Sequence, residues 1–379
     1  MAEVLVLGGG FGGLAAANEL RSLLTDEDTI TLVDRSDRFA MGFAKLWDLS
    51  GLRPIDEGTR SLDSLERQGV GFLRADITGI DPGGRQVETT AGTLLADALV
   101  VALGATPDPR HRAWLEGDGA HDLYDIRALP AIRRDLDTVD AGRVLVAILG
   151  TPFKCPPAPY EAALIVDELL RGRGVRDTVE VAVATPQPMT LPVAGPDASR
   201  YVADHLADHG VELLSDRVVR SVDPGHRTIA FEDGSELSYD LLLGVPADAP
   251  LSVIHPLAGG TGWIEPDRAT FRTAFERVYA VGDCTHVPTA KGALPHAGVF
   301  AAAAGRVAAR NIVADLSGGP EAVFDGHGFC FLELPGQRVA FVEGDFYADP
   351  QDVTISQADE EQFRRKQAYE RDHLDAWLG

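Results

Sequence analysis

Two cysteines and one glutamate carry the most specific chemistry in this sequence. Cys155 sits in GTPFKCPPAPYE, residues 150–161, directly behind the apolar run from Val144 to Leu149. A strand that enters a glycine-led turn and then a helix usually cradles a phosphate with backbone N–H groups. Here Gly150 is the only glycine of the turn, and Pro156, Pro157 and Pro159 have no N–H to donate. The turn has lost part of a phosphate-binding donor set. A cysteine here lies near a helix N-terminus and beside Lys154, and both features lower a thiol pKa and favour a reactive thiolate. The alternative is a small buried hydrophobe, the commoner fate of a single cysteine. Cys330 lies in GHGFCFLELPGQRVAFVEGDF, a strand pair with a Pro-Gly turn, so any meeting with Cys155 must be made by the fold. Glu161, on the helix after Cys155, is a candidate proton acceptor. Its alternative is a solvated first-turn glutamate stabilised by the helix dipole.

The elements that must position these residues begin with EVLVLGGGFGGLAAANEL, a strand, a glycine turn and a helix. Gly8, Gly10 and Gly13 match the dinucleotide fingerprint, with Phe11 and Gly12 between them, and the helix N-terminus is placed to meet a pyrophosphate. A second strand, TITLVD, ends at Asp34, followed by Arg35. A carboxylate about 20 residues past the glycines accepts hydrogen bonds from the adenosine ribose. Two further segments, DALVVALGATPDP with Ala102 and Gly104, and RVYAVGDCTHV with Gly282 and Asp283, resemble the ATG-type and GD motifs of flavoproteins with two dinucleotide domains. That resemblance implies that Asp283 holds the ribityl chain of FAD. The helix expected over roughly 295–311 would aim its positive N-terminus at the flavin, with His296 at its start as a candidate for tuning the ring. Lys45 and Ile77 complete the cofactor-binding candidates.

The layout predicts an α/β chain: two nested Rossmann-like dinucleotide-binding domains plus a small C-terminal α+β domain. Residues 1–107 and 246–315 form a discontinuous FAD-binding domain, 108–245 a second Rossmann-like domain carrying Cys155, and 316–379 the C-terminal domain carrying Cys330. Three pieces, PFKCPPAPYE, the GDC at 282–284, and the GxGxCxxE pattern from Gly326 to Glu333, resemble sulfide:quinone oxidoreductases. They are also similar to the flavoprotein subunit of flavocytochrome c sulfide dehydrogenase. The resemblance covers essentially the whole chain.

It implies that Cys155 and Cys330 form a redox-active disulfide or persulfide bridge beside the flavin. Sulfide, or a small thiol or persulfide, would be oxidised there, and electrons would pass through FAD to a quinone or a soluble carrier. The chain departs from the family pattern in three respects. No third cysteine precedes Cys155; Cys284, next to Asp283, reads as structural; and RFAMGFAKLW has no cysteine, so FAD is expected to be non-covalent.

The formal net charge of −24 argues against nucleic acid and anionic membrane surfaces as partners. Three cysteines without C-x-x-C spacing give neither a disulfide scaffold nor a zinc site, and no metal cluster emerges. No apolar run approaches the roughly 18 residues of a membrane-spanning helix. The expected location is cytoplasmic, or peripheral at the inner face of the membrane. The terminal EEQFRRKQAYERDHLDAWLG is expected to dock as a charged helix on the protein's own body or a partner subunit, and homodimerisation is left open. Two competing readings stand. One is an NAD(P)H-dependent reductase of the type II NADH dehydrogenase or coenzyme A disulfide reductase kind. The other is a flavin-binding redox sensor or electron-transfer subunit.

Overall fold

Near-continuous apolar runs such as VLVL at Val4–Leu7 and ALVV at Ala98–Val101 cannot leave a face in water, and they build the buried middle of a parallel sheet. In the computed structural model, which describes residues 1–350 and 352–379, this sheet has five parallel strands. Their order is Val278–Ala280, Ala98–Val101, Glu3–Leu7, Thr29–Asp34 and Gly71–Arg74. Val4 is in register with Ile30 on one side and Ala98 on the other.

A second parallel sheet has the order Ala120–Asp122, Leu241–Val245, Gly142–Ile148, Val179–Ala184 and Glu212–Leu214. The C-terminal part supplies an antiparallel pair, His327–Leu334 with Arg338–Asp345, extended by Asp352–Ile355. The fold is therefore the expected α/β class, with two Rossmann-like sheets and several small antiparallel ones.

Helix Phe11–Leu23 packs on helix Gly298–Ser317 so closely that a Cβ added at Gly305 would lie 2.2 Å from the Gly12 carbonyl oxygen. The second of these helices starts later than the sequence suggested. Ala297 is extended, and the His296 carbonyl accepts a 2.8 Å hydrogen bond from the Cys155 N–H, a tertiary contact made just ahead of the first turn. The helix then continues to Ser317, with no proline inside it, and stops at Gly318.

The terminal helix, Glu360–Leu378, docks on the body of the protein. Phe363 enters the core beneath the second sheet, while Leu374, Trp377 and Leu378 enter the core of the first. Among the described residues no helix is long and apolar enough to cross a membrane.

Candidate active site

A cavity of about 410 Å³ opens where the glycine turn of the first strand, the N-terminus of helix Gly298–Ser317 and the Cys155 turn converge. Of the sequence-derived cofactor candidates, Gly10, Phe11, Gly12, Asp34, Lys45, Ala102, Gly104, Gly282, Asp283 and His296 line it. Gly8 and Gly13 serve from behind. Gly8 has φ +108°, and a Cβ at Gly13 would lie 1.8 Å from the Gly8 oxygen, so the strand-to-helix turn closes only without side chains there. Arg35 and Ile77 do not line the cavity; Ile77 packs on the outer apolar cluster of the first sheet.

These residues fit a dinucleotide. Gly10 gives helix Phe11–Leu23 no side-chain cap, so its first-turn N–H groups are available to an anion. A Cβ added at Gly10 would meet no protein atom within 4 Å, as a cradle for a close-lying ligand requires. Asp34 accepts hydrogen bonds from the Gly9 and Ser36 amides at 2.6 and 2.7 Å. A carboxylate offers about four acceptor sites, so capacity remains for ribose hydroxyls. Helix Gly298–Ser317 also begins uncapped on the cavity. Burial, with the like charge of Lys154 adding to it, pulls the Lys45 ammonium down to about 8, and it donates to the Tyr124 carbonyl at 2.8 Å.

Cys155 lines the cavity; Cys330 is not among its lining residues. Both are free thiols packed on the same apolar cluster, and the Cys330 thiol donates to the Phe331 carbonyl at 3.7 Å. Cys155 adopts φ +47°, a left-handed conformation that costs a non-glycine residue on the order of 1–3 kcal/mol. Its backbone is pinned on several sides. The N–H donates to His296, and the carbonyl accepts from Ala158 N–H at 2.9 Å and from the Tyr124 hydroxyl at 3.3 Å. Helix Ala158–Gly172 starts three residues on. Lys154, placed beside the thiol by sequence, instead donates to the Ala105 carbonyl at 3.2 Å and lies 3.8 Å from Asp248. The Cys330 thiol is pushed well above the usual thiol range by the Cys155 side chain and by burial, with the Cys155 and Glu161 charges adding and Lys366 opposing.

Glu161 is buried, 1% exposed, rather than solvated. It accepts a 2.6 Å hydrogen bond from the Glu333 backbone N–H and lies 3.6 Å from the Lys366 ammonium. Lys366 is itself 1% exposed and donates to the Glu333 carboxylate at 2.7 Å, which also accepts from Trp47 Nε1 at 2.8 Å. Burial lifts the Glu161 carboxyl to about 7, against the lowering pull of Lys366 and the Glu333 amide. Burial alone would lower the Lys366 ammonium, but the charges of Glu333 and Glu161 outweigh it and raise it. Lys366 therefore stays charged.

Lys366 and the second partner carboxylate, Glu333, were missed as site residues by sequence reasoning. One signal was available for Lys366. It lies three residues from both Phe363 and Tyr369, on the apolar stripe of a charged helix.

Residues 2–299 match the pyridine nucleotide-disulphide oxidoreductase family. The chain is 24% identical over 373 residues to the mitochondrial sulfide:quinone oxidoreductase of Mus musculus, covering 92% of this chain and 79% of that protein. It is 22% identical to the type II NADH:quinone oxidoreductase of Staphylococcus saprophyticus, covering 90% of this chain and 93% of the relative. Among solved structures, the sulfide:quinone oxidoreductase of Aquifex aeolicus superposes with a TM-score of 0.89 at 22% identity, over 100% of this chain and 92% of that one. With the family matched over more than three-quarters of its length and a cavity fitted to a dinucleotide, this chain belongs to the pyridine nucleotide-disulphide oxidoreductase family and is an FAD-dependent oxidoreductase.

Proposed function

We propose that this enzyme oxidises sulfide, or a small thiol or persulfide, through the Cys155–Cys330 pair, and passes the electrons by way of non-covalently held FAD to a quinone. The observation that carries this reading is Cys155 on the wall of the dinucleotide cavity, with the Cys330 thiol near enough that Cys155 is the strongest influence raising it. Bound FAD supplies the two-electron acceptor. In the oxidised pair, hydrosulfide attacks Cys330, which does not line the cavity. A new S–S bond forms in the Cys330 persulfide, the Cys155–Cys330 bond breaks, and Cys155 leaves as the thiolate facing the cavity. Burial and its neighbours make Cys330 the poorer leaving group, which favours this direction. A second hydrosulfide takes the outer sulfur and leaves the Cys330 thiol, and re-forming the disulfide then releases one electron pair. Glu161, ionised above about pH 7, takes the proton liberated when the pair re-forms, and Lys366 offsets its charge. Lys45 and Lys366 are the ammonium groups close enough to feel a Cys155 thiolate.

The nicotinamide-linked alternative is favoured by the similarity to a type II NADH:quinone oxidoreductase. Against it, four amides of the 150–161 turn are already committed within the protein. The Cys155 N–H goes to His296, the Ala158 N–H to Cys155, and the Tyr160 and Glu161 N–H groups both to Pro157. Anaerobic titration of the yellow protein decides between the two readings. Bleaching of the flavin band by sulfide and not by NADH is expected, and bleaching by NADH alone would replace this reading. Cys330→Ser should abolish bleaching by sulfide while leaving FAD bound, and unchanged bleaching would remove the proposed pair.

A further inference from the structure

His296 is the one imidazole on the cavity wall. Its Nδ1 lies 2.7 Å from Asp248 Oδ2, and the two side chains are 9% and 5% exposed. Asp283 faces the same space, with ligand atoms of all three residues within 4.8 Å of one another. Lys154 stands 3.8 Å from the other Asp248 oxygen, and the Trp263 ring meets the imidazole edge-on at 5.4 Å. These are the charged and ring groups that pack on His296. Two carboxylates and the half-exposed Lys154 ammonium leave a local net charge of −1 when the imidazole is neutral, and none when it is protonated. A negative charge arriving on a ligand in this cavity is opposed by the first state and tolerated by the second.

We propose that His296, positioned by Asp248, takes up a proton when the bound FAD accepts an electron pair, so that the reduction equilibrium responds to pH through this imidazole as well as through the ring. The electron pair comes from the reductant. One proton goes to the reduced ring and one, from solvent, to His296, so cofactor and protein together gain two electrons and two protons. The direction of the imidazole's own shift agrees. Burial lowers it, but the hydrogen bond to Asp248 and the charges of Asp283 and Asp248 outweigh burial and the opposing Lys154, leaving it raised. The inference needs FAD in the cavity and does not need the thiol pair, so it fails or stands separately from the sulfide reading.

The test is the midpoint potential of the FAD-loaded protein between pH 5.5 and 9, measured against reference dyes with dithionite as reductant. Each proton taken up per electron pair changes the reduction equilibrium tenfold per pH unit, about 30 mV for a two-electron couple. Over one window of pH the native protein should take up one proton more than His296→Asn, whose slope should fall by that tenfold step. Asp248→Asn should move the window to lower pH by about one unit or more. His296→Lys, which keeps a positive charge without a titrating imidazole, should restore the potential near neutral pH but not the steeper window. Equal slopes for the native protein and His296→Asn would overturn the proposal, as would an unmoved window in Asp248→Asn. If His296→Asn fails to retain FAD, the Asp248→Asn and His296→Lys profiles decide alone.

Discussion

At the scale of single residues, the site depends on a charge that the sequence hides. Lys366 stands between Glu161 and Glu333 with almost no exposure. Removing one partner of a buried ion cluster strands the others, at a cost of about 3–5 kcal/mol. Lys366→Met should lower stability in denaturant by that order, and adding Glu333→Gln should recover part of the loss. Glu161 gives a pH signature. Its folded value of about 7 lies above the usual 4.5, so the fold binds a proton that the unfolded chain releases in between. The stability from that proton is fully present below about pH 4.5 and is lost as pH rises to 7, and Glu161→Gln should flatten this slope. In stopped-flow measurements, flavin reduction by sulfide, referred to the concentration of hydrosulfide at each pH, should rise through pH 7 in the native enzyme and lose that rise in Glu161→Gln. The glycines and Asp34 were legible because their spacing is fixed by a local turn. Lys366 was not, because a lysine on a charged helix is normally solvated.

At the scale of elements, two helices meet where both leave the cavity, and the contact tolerates no side chain. Gly305→Ala places a methyl group 2.2 Å from the Gly12 oxygen. The helices must separate, at a cost of about 1–3 kcal/mol or more, and the first turn of Phe11–Leu23 moves with them. The expected result is a lower Tm together with a lower flavin-to-protein ratio after gel filtration. A loss of Tm with full flavin content would mean the strain is absorbed elsewhere. The buried parallel strands were readable, because they announce themselves as apolar runs, while helices such as Leu129–Thr138 and Gly195–Asp208 carried no such signal. The start of helix Gly298–Ser317 was not readable either, since it depends on a backbone hydrogen bond from a residue in another sheet's turn.

At the scale of the whole molecule, the terminal helix ties both cores together. Trp377 packs edge-on against Phe11 and Phe39 at 6.0 and 6.1 Å, and both of those rings line the cavity. Arg53 and Glu370 add a bidentate pair at 2.7 and 2.8 Å across the same junction. Trp377→Ala should cost about 3–5 kcal/mol and should weaken FAD retention while the far-ultraviolet dichroism stays close to native. The helix was expected to dock on the body or on a partner subunit, but the residues it meets on the body were not foreseen. Which face meets which core is decided by pairings of very high sequence separation, and no local pattern encodes them.

Those separations also set an order of events. Trp47 waits for Glu333, 286 residues later, and Arg53 for Glu370, 317 residues later. During synthesis the glycine turn and the first sheet's early strands emerge long before the hairpin that carries Cys330. Until that hairpin leaves the ribosome Cys155 has no sulfur beside it, and Glu161 has no counter-ion until Lys366 follows. Assembly is therefore slow in its final step, as contacts of long sequence separation require. A truncated product ending before the hairpin would lack Cys330, Glu333 and Lys366 alike, so Cys155 and Glu161 would stand without the partners they have in the finished chain.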